Sequence, residues 1–561
     1  MQGIVRSFVQ HSVRKQRALH GLWDFSIEDK SFQDRLTVPQ CWDTTIRYYD
    51  YRGKAYYRRI FRTEGLPVCR LRFFGVSHTA QVWVDGRLVG SHFGAYTPFS
   101  VILTNLEPGE HELIVEVDNS FGDDVALYYE FYDWHIYGGI IRPVVLEELP
   151  EVFVDRVQVK TLELREEAAT VSFSLFLQNT STTQVEEQIS LRVLADNLPV
   201  VEETLEQNLK PGVNTLEITK VIQNPRLWSL EDPFLYYVEV TTSGDDLRDR
   251  FGIRTIQAEG QRVLLNGVPV KLLGFNRHDD HPDWGAAVPV EIMLKDLEIV
   301  KEAGGNFLRG SHYPYPEIFL DLLDEQGILF GEECSHWGLK EGHMLHPRFL
   351  EQSKQCITEM ITAHYNHPSI IIWGLLNECA SNLATTRPVY EELIGHIRAL
   401  DESRLVTYAG FHPGSDVCLD LVDIVSINNY TGWYVQRIDE IPTWYEGFRQ
   451  WLEKIGQGNK PFILSEFGVG AVAGVRSFYK VRWSEDYQYE FFHKALEYYL
   501  QRADVTGVAV WQFCDTRTSA SLFLTRPGSR NNKGVVDRFR QPKDGFYAVR
   551  DAFMKYRQKE V

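Results

Sequence analysis

The sequence predicts a multidomain protein, all-β in its first part and β/α in its last: two β-sandwiches followed by a TIM (β/α)8 barrel. Three observations carry that expectation. A chain of 561 residues is too long for one hydrophobic core. Residues 1–256 consist of short alternating runs between polar turns, without long helical periodicity. From residue 257 apolar runs alternate with amphipathic stretches, the pattern of a parallel sheet whose strands are joined by helices.

Residues 1–148 read as strands and turns. "VWVDGRLVGSHFG" (82–94) alternates about Asp85-Gly86, a dipeptide suited to a tight hairpin because both positions tolerate positive φ. "HELIVEVDN" (111–119) alternates again, so a β-sandwich is expected here. Residues 149–256 repeat the style in "VDRVQVKTLEL", "ATVSFSLFLQN", "ISLRVLAD" and "NTLEITKVI". "NPRLWSLEDPFLYYVEV" (224–240) adds two prolines and another strand. About 100 residues of this pattern suggest an immunoglobulin-like sandwich.

Residues 257–561 hold eight candidate strands. They are "VKLLGFNRH" (270–278), "NFLRGSHY" (306–313), "GILFGEE" (327–333) and "SIIIWGLLNE" (369–378). Then come "RLVTYAG" (404–410), "DIVSINNY" (423–430), "PFILSEFG" (461–468) and "GVAVWQF" (507–513). "EIMLKDLEIVKEAGG" (291–305) is a typical connecting helix, with apolar residues on one face and a glycine stop. Several strands begin apolar and end polar, as barrel strands do where functional groups stand at their C-terminal ends.

Composition bounds the function. A net charge of −19 argues against general nucleic-acid binding, which favours basic surfaces. Aromatic residues make up 13%, which suits stacking against sugar rings and ordinary cores alike. The seven cysteines are scattered, odd in number and free of any C-x-x-C pair. No disulfide framework or zinc site is expected, and a reducing compartment fits. The N-terminal stretch shows no apolar signal core, and no apolar run approaches the ~18 residues that span a bilayer. The expectation is a cytoplasmic protein with no membrane partner and no nucleic-acid partner. Glu332, Glu333 and His336 cluster without a recognised ligand pattern and read as strand-end residues, so no metal and no cofactor are expected.

Asn377 and Glu378 end the fourth strand, and Glu466 ends the seventh. In a barrel both glutamates face one mouth. Hydrolysis of a glycosidic bond needs a proton donor and a second carboxylate, which in retaining enzymes attacks the anomeric carbon. A lone strand-end glutamate is more often an ion-pair partner, but two at one mouth, one of them preceded by Asn, favour catalysis.

The motifs then become specific. "NHPSIIIWGLLNE" (366–378) closely resembles the acid/base signature of glycoside hydrolase family 2, and "NFLRGSHYPYPEIFLDLLDEQGI" (306–328) resembles its other signature. The second departs at Gly310, where a small polar residue or Ala is more usual. The resemblance covers nearly the whole chain and implies a jelly-roll sugar-binding-like sandwich, an immunoglobulin-like sandwich and a catalytic barrel. It implies Glu378 as general acid/base, Glu466 as nucleophile and Asn377 as a contact to the sugar 2-hydroxyl. Tyr430 becomes the candidate hydrogen-bond donor to Glu466. The chemistry requires Glu378 to be protonated and Glu466 ionised.

Three further stretches point to the sugar. "SINNYTGWYVQ" (426–436), with Asn428, Tyr430 and Tyr434, resembles the active-site segment of the family's bacterial β-glucuronidases. "RNNKGVVDRFRQPK" (530–543) resembles their Asn-x-Lys motif, here Asn531 and Lys533. "DWHIYGGIIRPV" (133–144) resembles the jelly-roll loop whose Asp, here Asp133, reaches sugar hydroxyls. An ammonium and an amide suit a C6 carboxylate, although "RNNKG" taken alone reads as a solvated turn. His278 and His312 either bond the sugar or orient Glu378, and Trp511 is a candidate platform under the ring. An Arg usual before the motif has two matches, Arg526 and Arg530. No long insertion follows "GEECSHWGL", so an open mouth is expected.

The resemblance thus implies a retaining, exo-acting β-glucuronidase working through a covalent glycosyl-enzyme on small or oligosaccharide glucuronides, and a homo-oligomer. A β-galacturonidase is the alternative, because the Asn-x-Lys pair reads C6 and not C4. A neutral-sugar β-galactosidase leaves Lys533 without a purpose. A non-catalytic carbohydrate-binding protein leaves the two glutamates without one.

Overall fold

The computed structural model describes residues 5–122, 124–129, 132–522 and 524–560. Two antiparallel sandwiches precede a closed barrel in chain order, the architecture expected from the sequence. In the first sandwich a six-stranded sheet faces a four-stranded one. Trp23, Phe25, Val82 and Val115 from the larger sheet pack on Leu71, Phe73, Val101 and Leu146 from the smaller. Asp85 (φ 49°) and Gly86 (φ 77°) turn the hairpin between strands Thr79–Val84 and Arg87–Phe93. Both angles lie in the left-handed region that a two-residue turn needs to match strand twist.

The second sandwich packs a three-stranded sheet on a four-stranded one. Two of its strands, Leu198–Leu209 and Asp246–Phe251, are not picked out by alternation in the sequence. Both lie at a sheet edge, and the first exposes Glu202 and Glu206, so each carries little apolar signal. Residues 6–14 run outside the first sandwich. Arg6 donates to Asp321 at 2.9 Å and Asp249 at 3.0 Å, and Asp246 accepts the backbone N–H groups of Ser12, Val13 and Arg14. This segment ties the second sandwich to the barrel.

The barrel strands are β1 (Leu272–Arg277), β2 (Phe307–Gly310), β3 (Leu329–Glu333), β4 (Ile370–Asn377), β5 (Leu405–Gly410), β6 (Val425–Asn428), β7 (Phe462–Phe467) and β8 (Gly507–Val510). Each pairs in parallel with the next, and β8 closes onto β1. An α-helix follows every strand but β5 among the described residues. There the link 411–424 holds only a three-ten turn, Leu419–Leu421, because Pro413-Gly414 and its shortness leave no room for a packed helix.

The boundary between first sandwich and barrel is bridged by packing. Tyr96, Leu127, Tyr132 and Trp134 belong to the barrel's hydrophobic cluster, not to the sandwich's own. Tyr96 stacks on Tyr313 with ring centroids 4.0 Å apart, and Trp134 lies 4.9 Å from the same ring. Burying a large side chain stabilises by about 1.5–3 kcal/mol, so several such rings fix the loop that carries Asp133 against the barrel mouth.

Candidate active site

Strand geometry brings the two glutamates together. β4 is buried along its whole length and ends at Asn377. Glu378 follows with φ 52°, a left-handed conformation rare for a residue with a Cβ, and its N–H is fixed to Ala409 of β5 at 2.9 Å. Glu466 sits inside β7 and is buried.

The two carboxyls have different neighbours. Glu466 accepts from Arg309 Nη1 at 2.8 Å on Oε1 and from Tyr430 Oη at 2.7 Å on Oε2. Burial raises its pKa, while Arg309 and the Tyr430 hydrogen bond act the other way to favour the anion. Among the described residues Glu378 accepts one hydrogen bond, from Asn428 Nδ2 at 2.9 Å on Oε1. Loss of water first, and the charge of Glu466 second, push its pKa up to about 8. One carboxyl is therefore raised into the range of an acid at neutral pH, while the other, also raised by burial, has two donors that favour its charged form.

Arg309, at the end of β2, organises the floor. Besides Glu466 it donates to Asn276 Oδ1 at 2.7 Å, Asn377 Oδ1 at 2.7 Å and Glu333 Oε1 at 2.6 Å. Asn377 Oδ1 also accepts from Asn428 at 3.0 Å, so its amide is fixed with Nδ2 buried and without a partner among the described residues. That donor belongs to the residue next to Glu378 in the chain, and its Oδ1 shares Arg309 with Glu466. Gly310 has a steric reason: a Cβ there meets Phe330 at 2.4 Å and Tyr315 at 3.0 Å.

Trp511, at the end of β8, is buried and lies 5.2 Å from His312 in a stacked arrangement and 5.5 Å edge-on from His278. Burial holds both imidazoles well below their ordinary pKa, so both are neutral, and each leaves a buried Nε2 without a partner among the described residues. His312 Nε2 lies 3.8 Å from Glu466. His312 thus stands beside Glu466 and not beside Glu378, whose hydrogen bond comes from Asn428. Glu332, Glu333 and His336 point to different partners: His364, Arg309 with His312, and the Leu375 carbonyl with Ser353.

Asp133, Tyr434, Asn531 and Lys533 meet at the rim. Arg526 forks onto Asp133 at 2.8 and 2.5 Å and reaches Tyr434 Oη at 3.1 Å. Asn531 Nδ2 donates to Asp133 at 3.1 Å. Of the two candidate arginines it is Arg526 that joins the site. Lys533 is 1% exposed and donates to Tyr434 Oη at 2.9 Å, and among the described residues no carboxylate pairs with it. The ammonium also lies over the rings of Tyr430 and Tyr434, 5.6 and 5.1 Å from their centroids; a buried ammonium with such neighbours and no anion is costly unless one arrives.

Arg309, Glu333 and Arg526 are the residues that sequence reasoning did not assign. A charged side chain at the end of an apolar strand was a signal for the first two. Nothing in the sequence around Arg526 separates it from Arg530.

Comparison with known proteins finds relatives over all three folded units. Residues 44–150 match the sugar-binding domain of glycosyl hydrolases family 2, residues 152–254 match a further glycosyl hydrolases family 2 model, and residues 256–557 match the family's TIM barrel domain. The chain is 40% identical to a family 2 β-galacturonidase of Eisenbergiella tayi solved with galacturonate, with a TM-score of 0.92 over 98% of this chain and 99% of that one. It is 30% identical to a β-D-glucuronidase of Dictyoglomus thermophilum, with a TM-score of 0.86 over 97% of each chain. A β-glucuronidase of Streptococcus agalactiae is 27% identical over 94% of each chain.

Proposed function

Because this chain belongs to glycosyl hydrolase family 2, and is thus a glycoside hydrolase, we propose that it is a retaining, exo-acting β-hexuronidase that hydrolyses β-D-glucuronides. In this reading Glu378 protonates the glycosidic oxygen while Glu466 attacks the anomeric carbon. The ionised Glu378 then draws a proton from water, which releases glucuronate from Glu466. Asn377 Nδ2 bonds the sugar 2-hydroxyl, Trp511 lies under the ring, and the free imidazole nitrogens of His278 and His312 face its hydroxyls.

One observation carries the sugar class: the buried Lys533 ammonium, without a carboxylate partner among the described residues. A C6 carboxylate supplies that partner, with Asn531 and Arg526 nearby as further donors. A neutral hexose leaves the charge desolvated and unpaired. The test compares kcat/KM for aryl β-glucuronide, β-galacturonide and β-galactoside. Both uronides are expected to be turned over faster than the galactoside, and a faster galactoside overturns the proposal.

A second reading, preference for the galacturonide, is favoured by the 40% identity to the galacturonidase. The two sugars differ only at C4, so the ratio of the two uronide rates separates the readings. Asp133 is the carboxylate at the rim able to accept from a C3 or C4 hydroxyl, and its fork with Arg526 limits how it does so.

Lys533→Ala is expected to cost roughly 2–5 kcal/mol of transition-state binding on the uronides, the scale for losing one partner of a buried charged hydrogen bond. The same variant should leave the slow galactoside reaction unchanged or faster. An unaltered uronide kcat/KM returns Lys533 to the role of a turn residue.

A further inference from the structure

We propose that Glu333 is a positioning residue for the reaction: its two oxygens hold Arg309 and His312 against the nucleophile, and they fix the His312 tautomer so that Nε2 is offered to the sugar as an acceptor. This rests on the assignment of Glu466 as nucleophile.

The geometry is that of a built site. Glu333 ends β3 and is 4% exposed. Its Oε1 accepts from Arg309 Nε at 2.6 Å, and its Oε2 lies 3.1 Å from His312 Nδ1. Gly374 of β4 leaves the room it needs, since a Cβ there meets Glu333 Cγ at 2.5 Å. Through these two contacts Glu333 touches both groups that face Glu466 Oε1: Arg309 Nη1 at 2.8 Å and His312 Nε2 at 3.8 Å.

The tautomer follows from charge. A neutral imidazole facing a carboxylate that is bonded to a guanidinium carries its proton on Nδ1. Its Nε2 is then a lone pair, and that atom is the buried, unpartnered one above Trp511. A sugar hydroxyl satisfies it by donating. Glu333 also shares Arg309 with Glu466, so its charge opposes ionisation of the nucleophile. The charged and titratable groups around Glu333 are Arg309, His312, His336 and Glu466, with the thiols of Cys334 and Cys379. Burial raises its own pKa, and Arg309 and His336 counter that rise. Glu332, its neighbour, makes no such contacts; it bonds His364 and the Tyr315 N–H.

The test replaces Glu333 by Gln. The amide oxygen still accepts from Arg309, but the amide nitrogen donates to Nδ1. That moves the imidazole proton to Nε2 and removes a negative charge from beside Glu466. kcat/KM on an aryl hexuronide is expected to fall about 10²-fold, the scale of small misplacement of reacting groups. The acid limb of its pH profile should move to lower pH, because Glu466 ionises more readily. Glu333→Asp keeps the charge and withdraws the oxygens, so kcat/KM should fall with the acid limb at its native position. Glu332→Gln should lower Tm with a native pH profile. An unmoved acid limb in Glu333→Gln overturns the proposal, as does a loss no larger than that of Glu332→Gln. If Glu333→Gln is recovered unfolded, full activity in Glu333→Asp overturns it. An inactive parent enzyme fails the nucleophile assignment instead.

Discussion

Glu466→Gln is expected to abolish turnover of every hexuronide while leaving the fold intact. The amide keeps the volume, and its oxygen can still accept from Arg309 or Tyr430, which bond Glu466 at 2.8 and 2.7 Å. It cannot form or release the glycosyl ester. Removing a covalent nucleophile costs on the order of 10⁴-fold or more in kcat. The check combines kcat on an aryl hexuronide with mass spectrometry of the native enzyme after an activated 2-fluoro-uronide. The native protein should carry one sugar on the peptide holding Glu466, and the variant none. Retained activity, or a label elsewhere, moves the nucleophile to another residue. The variant carries a second expectation. The charge of Glu466 is the second cause that raises Glu378, so its loss should lower the Glu378 pKa.

Glu378→Gln should lower kcat/KM by about 10²–10⁴-fold on substrates with poor leaving groups, the usual worth of a general acid. Substrates whose aglycone departs without a proton should lose much less in the glycosylation step. The pH dependence has a definite sign. The acid must be protonated, so native kcat/KM falls as pH rises through about 8, and this limb should vanish in the variant. Stability follows the same titration. Glu378 has a folded pKa raised above its unfolded value of about 4.3. Its contribution is fully present below the unfolded pKa and is lost as pH rises through the folded one. Glu378→Gln should therefore melt higher than the native protein, by a margin that widens from pH 5 to pH 8. An alkaline limb that survives in the variant assigns it to another group.

Much of this was legible in the chain because it depends on local period and on strand ends. The eight apolar runs, several of them ending in polar residues, became β1–β8, since a closed parallel barrel buries its strands on both faces and leaves their C-terminal ends as the mouth. Edge strands such as Leu198–Leu209 were not legible, because one exposed, glutamate-rich face dilutes the pattern. The link after β5 was read as one more β/α unit, yet it folds without a helix. In the site, Asn377, Glu378, Glu466 and Tyr430 could be read from their strand ends. Arg309 stood in plain view in "NFLRGSHY", but its four partners come from four other strands.

By itself the sequence determined the order of the three folded units, the positions of both glutamates and the presence of an ammonium suited to a uronate. Those are properties of residue type and spacing along one chain. Only the tertiary structure decided that burial and the nearness of Glu466 raise the Glu378 carboxyl, that Arg526 rather than Arg530 reaches Asp133, that Lys533 is buried with no carboxylate on it among the described residues, and that Glu333 stands behind Arg309 and His312. Each depends on which groups share a dry space. Coulomb energy and desolvation act through distance in space, and sequence separation carries no record of that distance.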